Sequence, residues 1–543
     1  MTRKLVGVAL ILAFLAFNPG LAQAGEDIYI KNGTISDTAD FGASDDMKKI
    51  SSLSSGQKRL FDYANGYSVD FPGDMWVDAS LSKVRVVLAN GSTQVEIYHD
   101  VFTNTINNSS DYIGYGNRFL ERQDDYPLAM EKTIKVDGMQ THLLQWSRAK
   151  LNPPNDRNNY LSAELVKNEQ ELYTIFIKST GDPSEYLPLV KSFRLIPQQG
   201  EPHITTRFKQ TNRVSRLNAE TQQFYQEYFS DQASLKWGIY MESVIRGFGP
   251  LNTLEDQIGS PFHILVWYKT MGTPLPRELL DNAYKQKKYL ELTFQTEVYG
   301  ADNSRVMYDI LNGKYDAYLN DYAHSLKGFG HPVLFRMNNE MNGDWCNWSS
   351  WRTCKDTDIY KAVWRHVYRI FEANGVDNVL WIWNPNDLNL PGFQWNNNLM
   401  YFPGAEYVDI VGMTGYNTGT HFEGEKWRSF NAIYQPLYKE YVQNFDYPFI
   451  ITEFSCSSIG GDKVQWINDM FSQLKQYPKI KVANWFSGID MDAAGQPGRI
   501  YTLNENPACV EAFSKGLKAT DQLKAVGYSG ASPYFQTNFS NLF

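Results

Sequence analysis

The stretch HPVLFRMNNEMNGDW, residues 331–345, carries a short apolar run, Val333, Leu334 and Phe335, that leads to the acid Glu340. A second stretch, YPFIITEFS at 447–455, repeats the pattern, with Phe449, Ile450 and Ile451 leading to Glu453. Short apolar runs rich in β-branched and aromatic residues read as buried parallel strands. In a (β/α)8 barrel such strands deliver their functional groups at their C-terminal ends. Two acids placed that way suit the breaking of a glycosidic bond, which needs one protonated and one ionised carboxyl facing each other across it.

Working outward from these two stretches, apolar runs alternate with polar loops and helical patterns. The predicted strands are Trp237–Tyr240, Ile264–Trp267, Tyr289–Thr293, Val333–Met337, Val379–Trp383, Val408–Met413, Phe449–Thr452 and Val482–Phe486. Helices are expected between them, among them Ile359–Ala373 and Val464–Tyr477. Eight such units match the size of an α/β (β/α)8 TIM barrel, placed here at residues 231–520. The alternative, a doubly wound open sheet, lacks a glycine-rich phosphate loop after the first strand.

The 543 residues leave room for a second domain. At the N-terminus, Arg3 and Lys4 precede an apolar run from Leu5 to Phe17 and the small-residue site Ala22-Gln23-Ala24, the pattern of a secretory signal at residues 1–24. Residues 25–60 are polar and without sustained periodicity, and read as a linker. Alternating segments from Tyr67 onward, with helical runs at Asp111–Arg122 and Pro183–Phe193, predict a smaller α+β accessory domain at 61–200. A connector at 201–230 with a helix over Ala219–Phe229 leads into the barrel, and residues 521–543 form a C-terminal tail. The order of elements in the accessory domain resembles the PsbP and Mog1-like fold. No cluster of acids, thiols or histidines marks a site there, so a spacer or adhesion role is expected of it.

A net charge of −9 without long single-sign runs argues against nucleic acid as a partner. No later run reaches the roughly 20 apolar residues that span a bilayer, so no membrane insertion is expected. A secreted or cell-wall-associated monomer acting on a polysaccharide is the expectation. Aromatic residues make up 15% of the chain, enough to supply sugar-stacking surfaces as well as a core. Four cysteines, Cys346, Cys354, Cys456 and Cys509, allow three connectivities, and a local bridge between Cys346 and Cys354 is one option. They do not form a metal-binding pattern.

Four ordered motifs carry a family resemblance: Arg336-Met337-Asn338-Asn339-Glu340-Met341-Asn342-Gly343-Asp344-Trp345, Trp381-Ile382-Trp383-Asn384-Pro385-Asn386, Asp409-Ile410-Val411-Gly412 with Gly415-Tyr416-Asn417, and Ile451-Thr452-Glu453-Phe454. The set resembles glycoside hydrolase family 26, over roughly residues 231–520. The resemblance implies hydrolysis of a β-linked glycan with retention, Glu340 as acid/base and Glu453 as nucleophile, without metal or organic cofactor. Retention requires the two carboxyls about 5–5.5 Å apart. By the same resemblance Tyr416 hydrogen-bonds the nucleophile.

Arg336 is expected beneath the site, where a guanidinium helps to keep Glu453 ionised, although a purely structural ion pair is equally open. Trp345 and Trp485 are candidate sugar platforms. Mannan-cleaving members of the family carry His immediately before the acid/base Glu, whereas this chain has Asn339, which suits a hydrogen bond to the 2-hydroxyl of the cleaved sugar. The resemblance makes β-mannan or glucomannan the first expected substrate, and the departure at Asn339 puts mixed-linkage β-glucan close behind. A non-catalytic glycan-binding protein, or an enzyme processing the producer's own exopolysaccharide, are the alternatives.

Overall fold

The computed structural model describes residues 27–103 and 107–525. The signal-like segment and the tail from 526 onward lie outside the described residues. Eight parallel strands close into a barrel in chain order: Lys236–Met241, Ile264–Met271, Tyr289–Val298, Val333–Met337, Val379–Trp383, Ile410–Thr414, Phe449–Phe454 and Ile480–Ser487. Each expected strand is present.

Period-two alternation sorts the side chains of these strands into three zones. At the N-terminal end of the barrel, Ile264, Leu334, Leu380, Ile382, Ile410, Ile450 and Val482 form an apolar cluster with Leu217, Phe224, Tyr225, Tyr228 and Phe229. The expected helix Ala219–Phe229 is therefore a plug that seals the bottom of the barrel. Asn218 caps it by accepting from the Thr221 amide. The outward-facing residues, including Phe335, Met337, Trp381, Trp383, Met413, Ile451 and Trp485, pack in a separate core shared with the helical layer. Between plug and mouth the interior is polar, with Glu291, Thr293, Arg336, Asn384, Thr414, Thr452 and Asn484 all buried. Gly238 makes room for this layer, because a Cβ there would stand 2.0 Å from Asn484 Oδ1.

The segment read as a polar linker is instead structured. Residues 25–60 contain the strands Ile28–Lys31, Thr34–Ser36 and Met47–Ser52 and most of Gln57–Asp62, which belong to a six-stranded sheet. Their alternation escapes notice because these are short and several of their outward positions are only half-buried. That sheet packs face to face on a seven-stranded sheet running from Trp76 to Ser179, and both contribute to one core around Leu60, Val69, Phe71, Ile97, Leu143 and Ile175. A second sheet thus covers most of that face, with the short helix Leu187–Ser192 packed beside it through Leu189 and Val190. The opposite face of the seven-stranded sheet, through Tyr98, Trp146, Tyr160 and Phe176, joins the core of the barrel.

All four cysteines are buried and free, so Cys346 and Cys354 do not bridge. Cys346 Sγ turns toward the Asn339 and Glu340 carbonyls, while Cys354 Sγ lies 4.0 Å from the Tyr308 hydroxyl. The final helix, Pro507–Ala525, runs past the start of the segment expected as a tail. Among the described residues no helix is long and apolar enough to cross a membrane.

Candidate active site

The fourth barrel strand ends at Met337, and the backbone then turns through left-handed conformations at Asn338 (φ 49°) and Glu340 (φ 53°). Asparagine tolerates this region; a glutamate there is strained, and such strain persists only where surrounding contacts hold it. Here they do. The Asn338 side chain accepts from the Thr296 amide at 2.9 Å, and the Glu340 amide donates to the Asn384 carbonyl at 2.8 Å. The turn presents the half-buried Glu340 carboxyl to Asn386 Nδ2 (2.6 Å to Oε1) and Asn339 Nδ2 (3.4 Å to Oε2).

Glu453 reaches the interior by a different device. Alternation along Phe449–Phe454 puts Ile450 and Thr452 inside and would send Glu453 outward. A register irregularity on this strand, where Met413 pairs with Ile451 but Thr414 with Glu453, inserts one residue. A bulge of this kind re-aims a side chain. Glu453 turns toward the mouth, 3% exposed, and Phe454 resumes the outward row.

Arg336, fully buried on the fourth strand, links the site to the floor. Its Nη2 donates to Glu453 Oε2 at 3.3 Å, Nη1 to Asn384 Oδ1 at 3.1 Å and Nε to Thr293 Oγ1 at 2.9 Å. Nε also lies 3.0 Å from Glu291 Oε1, while Asn484 Nδ2 donates to Glu291 Oε2 at 2.6 Å. Arg336 is thus placed beneath the site, out of direct reach of a substrate. One buried guanidinium faces two buried carboxyls and influences a third, Glu340.

Burial dominates the charges. Burial pushes Glu453 up to about 8, with Asp490 adding to the effect. Burial likewise pushes Glu291 up to about 7 against the pull of Arg336 and Asn484. Glu340 is raised too, by burial, with Asn386 and Arg336 opposing. Arg336 stands in ion-pair distance of Glu453 as expected, but it also pairs with Glu291, and burial outweighs it at Glu453. The sign for stability follows. Glu291 and Glu453 bind protons more tightly folded than unfolded, so their contribution is fully present below about 4.5 and is lost as pH rises through about 7 and about 8.

Removing the competing charge should return the cation to Glu453. In Glu291→Gln, Arg336 has Glu453 as its one carboxylate partner, and the acidic limb of the kcat/KM profile should move to lower pH. An unmoved or raised limb in the pH–rate profile would show that Glu291 does not compete for the guanidinium.

The remaining expected residues divide. Asn339 is 4% exposed, with Oδ1 accepting from Gln295 Nε2 at 3.2 Å and Nδ2 directed at Glu340. Trp345 is 48% exposed on the loop after Glu340, as a sugar platform requires. Tyr416 stands at the mouth 5.9 Å from Phe486 and 5.1 Å from Tyr501. No hydrogen bond joins it to Glu453 among the described residues. Burial, and then the nearby Glu340 carboxylate, push its phenol well above the usual range.

Trp485 is not a platform. It is completely buried in the outer layer against Phe454, Trp466 and Phe513, with its indole donating to the Tyr501 carbonyl at 3.0 Å. On its strand Val482, Asn484 and Phe486 face inward, so the aromatic ring at the mouth is Phe486, stacked on Tyr240 at 4.6 Å with Tyr268 5.3 Å from Tyr240. Sequence reading missed Phe486, Glu291 and Asn386. Counting the alternation forward from Val482 would have found the first.

A family model described as glycosyl hydrolase family 26 matches residues 236–477. The chain is 33% identical over 283 residues to endoglucanase H of Acetivibrio thermocellus, which covers 51% of this chain and 29% of that protein. It is 30% identical over 284 residues to a mannan endo-1,4-beta-mannosidase of Bacillus subtilis, covering 49% of this chain and 72% of the relative. Among solved structures, the catalytic domain of Bacillus sp. JAMB-750 GH26 endo-beta-1,4-mannanase aligns with a TM-score of 0.44 at 19% identity, covering 58% of this chain and 93% of that one. With most of the mannosidase's length matched and the family's span falling on the closed barrel, the chain belongs to glycosyl hydrolase family 26 and is a glycoside hydrolase.

Proposed function

We propose that the protein is a retaining endo-β-glycosidase, with β-mannan or glucomannan as first substrate. The observation that carries the reading is the pair of glutamates at the ends of the fourth and seventh strands, one held by amides and the other by a guanidinium. Glu340, raised by burial, keeps its proton and gives it to the glycosidic oxygen as that bond breaks. Glu453 in its ionised form attacks the anomeric carbon, and the glycosyl–Glu453 ester forms as the leaving sugar departs. Glu340, now a carboxylate, takes a proton from water, and the resulting attack on the anomeric carbon releases the sugar with its configuration retained. Arg336 stabilises the carboxylate form of Glu453, and Trp345 offers its ring to a neighbouring sugar.

A second reading, mixed-linkage β-glucan, is favoured by Asn339. Mannose carries its 2-hydroxyl axially and glucose equatorially, so the residue that meets this hydroxyl discriminates between them, and one similar protein is named an endoglucanase. Reducing-sugar release from mannan, glucomannan, mixed-linkage glucan and β-1,3-xylan separates the two. Release from mannan and glucomannan supports the first reading. Release from mixed-linkage glucan alone replaces it with the second, and binding without release from any polymer would overturn both. The leader-like first 24 residues are part of the same proposal, as a signal for export to where such polymers lie.

A further inference from the structure

The loop that follows Glu340, residues 341–356, is gripped from two sides. Toward the barrel, the Trp348 indole donates to the Asn339 carbonyl at 2.7 Å. Asn342 Nδ2 donates to the carbonyl of Asn386, whose own amide holds Glu340. Toward the N-terminal domain, the Tyr115 hydroxyl donates to Asp344. The Trp351 indole donates to the Tyr115 carbonyl at 3.1 Å, and their rings stack at 5.2 Å.

The deepest of these contacts is Lys355, 2% exposed, which projects from the barrel loop into the N-terminal domain. Its Nζ donates to Asn117 Oδ1 at 2.7 Å and Glu164 Oε1 at 3.0 Å. The rings of Phe119, Trp146 and Phe176 surround it, with centroids 5.8, 5.8 and 6.0 Å away. A buried ammonium is tolerated only where a carboxylate and aromatic faces replace its water, and this socket supplies both. The backbone at Cys354 (φ 50°) and Lys355 (φ 65°) is left-handed, a conformation that non-glycine residues keep only when their surroundings enforce it. A spacer or a tether needs none of this.

We propose that the N-terminal domain is a positioning part of the catalytic apparatus. Its aromatic and carboxylate socket anchors Lys355 and thereby fixes the loop that carries Asp344 and Trp345 and braces the backbone at Glu340. Lys355 and Tyr115 are positioning residues, acting on the substrate through that loop.

The test uses the full chain with Lys355→Met, in which Glu164 keeps Asn117 and His142 as partners, and with Tyr115→Phe. Hydrogen exchange at the amides of 341–356 should accelerate by about tenfold or more in Lys355→Met, with exchange in the strands of the barrel unchanged. This arm does not depend on the identity of the substrate. The kinetic arm rests on the reading of Glu340 as the acid. Turnover of the polymer cleaved by the wild type should fall by about tenfold or more, while the first-turnover release of phenol from an aryl glycoside whose leaving group needs no proton, a step that does not use Glu340, changes by less than about threefold. Unchanged exchange in folded Lys355→Met overturns the clamp, as does faster exchange with unchanged polymer turnover. Should Lys355→Met fail to fold, the same two readings on Tyr115→Phe decide. Should no polymer be cleaved, exchange alone decides.

Discussion

Glu453→Ala is expected to lose polymer turnover by on the order of 10⁴-fold or more, equivalent to about 5.5 kcal/mol of transition-state stabilisation. The carboxyl that the strand irregularity turns into the mouth is the only group that the proposed mechanism bonds to the sugar. The space left by the side chain lies on the face of the anomeric carbon opposite the leaving group. Azide entering there attacks in place of the missing carboxylate, and the product is an α-glycosyl azide, of inverted configuration. Recovery of turnover with azide and assignment of the anomer by NMR test both the residue and its face. A β-glycosyl azide from this variant would exchange the roles of the two glutamates.

Glu340→Ala should behave in a complementary way. Without the proton donor, cleavage of a polymer should fall by about 10²–10⁴-fold. An aryl glycoside with a good leaving group should still form the ester with Glu453 and then stall, because no base remains to activate water. A burst of the phenol followed by slow release is the expected time course. Azide, which needs no base, should attack the ester from the side that Glu340 has vacated and give the β-glycosyl azide. Absence of a burst, with both substrates slowed equally, would remove Glu340 from proton transfer. The two variants together decide which carboxyl performs which step, a question that their pKa shifts alone leave open, since burial raises both.

The pattern of eight apolar runs was sufficient to place the barrel, because buried parallel strands need continuous apolar sequence and their boundaries fall at prolines and asparagines. Val333–Met337 and Val379–Trp383 have the ends that the sequence predicts. Glu340 and Glu453 were legible for the same reason, since an acid at or shortly after the C-terminal end of such a run lies near the mouth. What the sequence hid was side-chain direction. Alternation read strictly sends Glu453 outward, and only the pairing with two neighbouring strands shows the extra residue that turns it in. The same alternation buries Trp485 among helices and brings Phe486 to the mouth.

The sharing of Arg336 between Glu291 and Glu453 was out of reach for a further reason. It joins residues of the third, fourth and seventh strands, and chain order says nothing of distances across a barrel. The first strands of the N-terminal domain were hidden most, because short strands with half-buried faces lack the contrast from which periodicity is read. By itself, then, the sequence determined the barrel, the family motifs and the two acids, all of which rest on local patterns of burial. Only the tertiary structure decided how one buried cation is divided between acids, that Glu453 turns inward and which domain grips the loop after Glu340, because each depends on contacts between segments far apart in the chain.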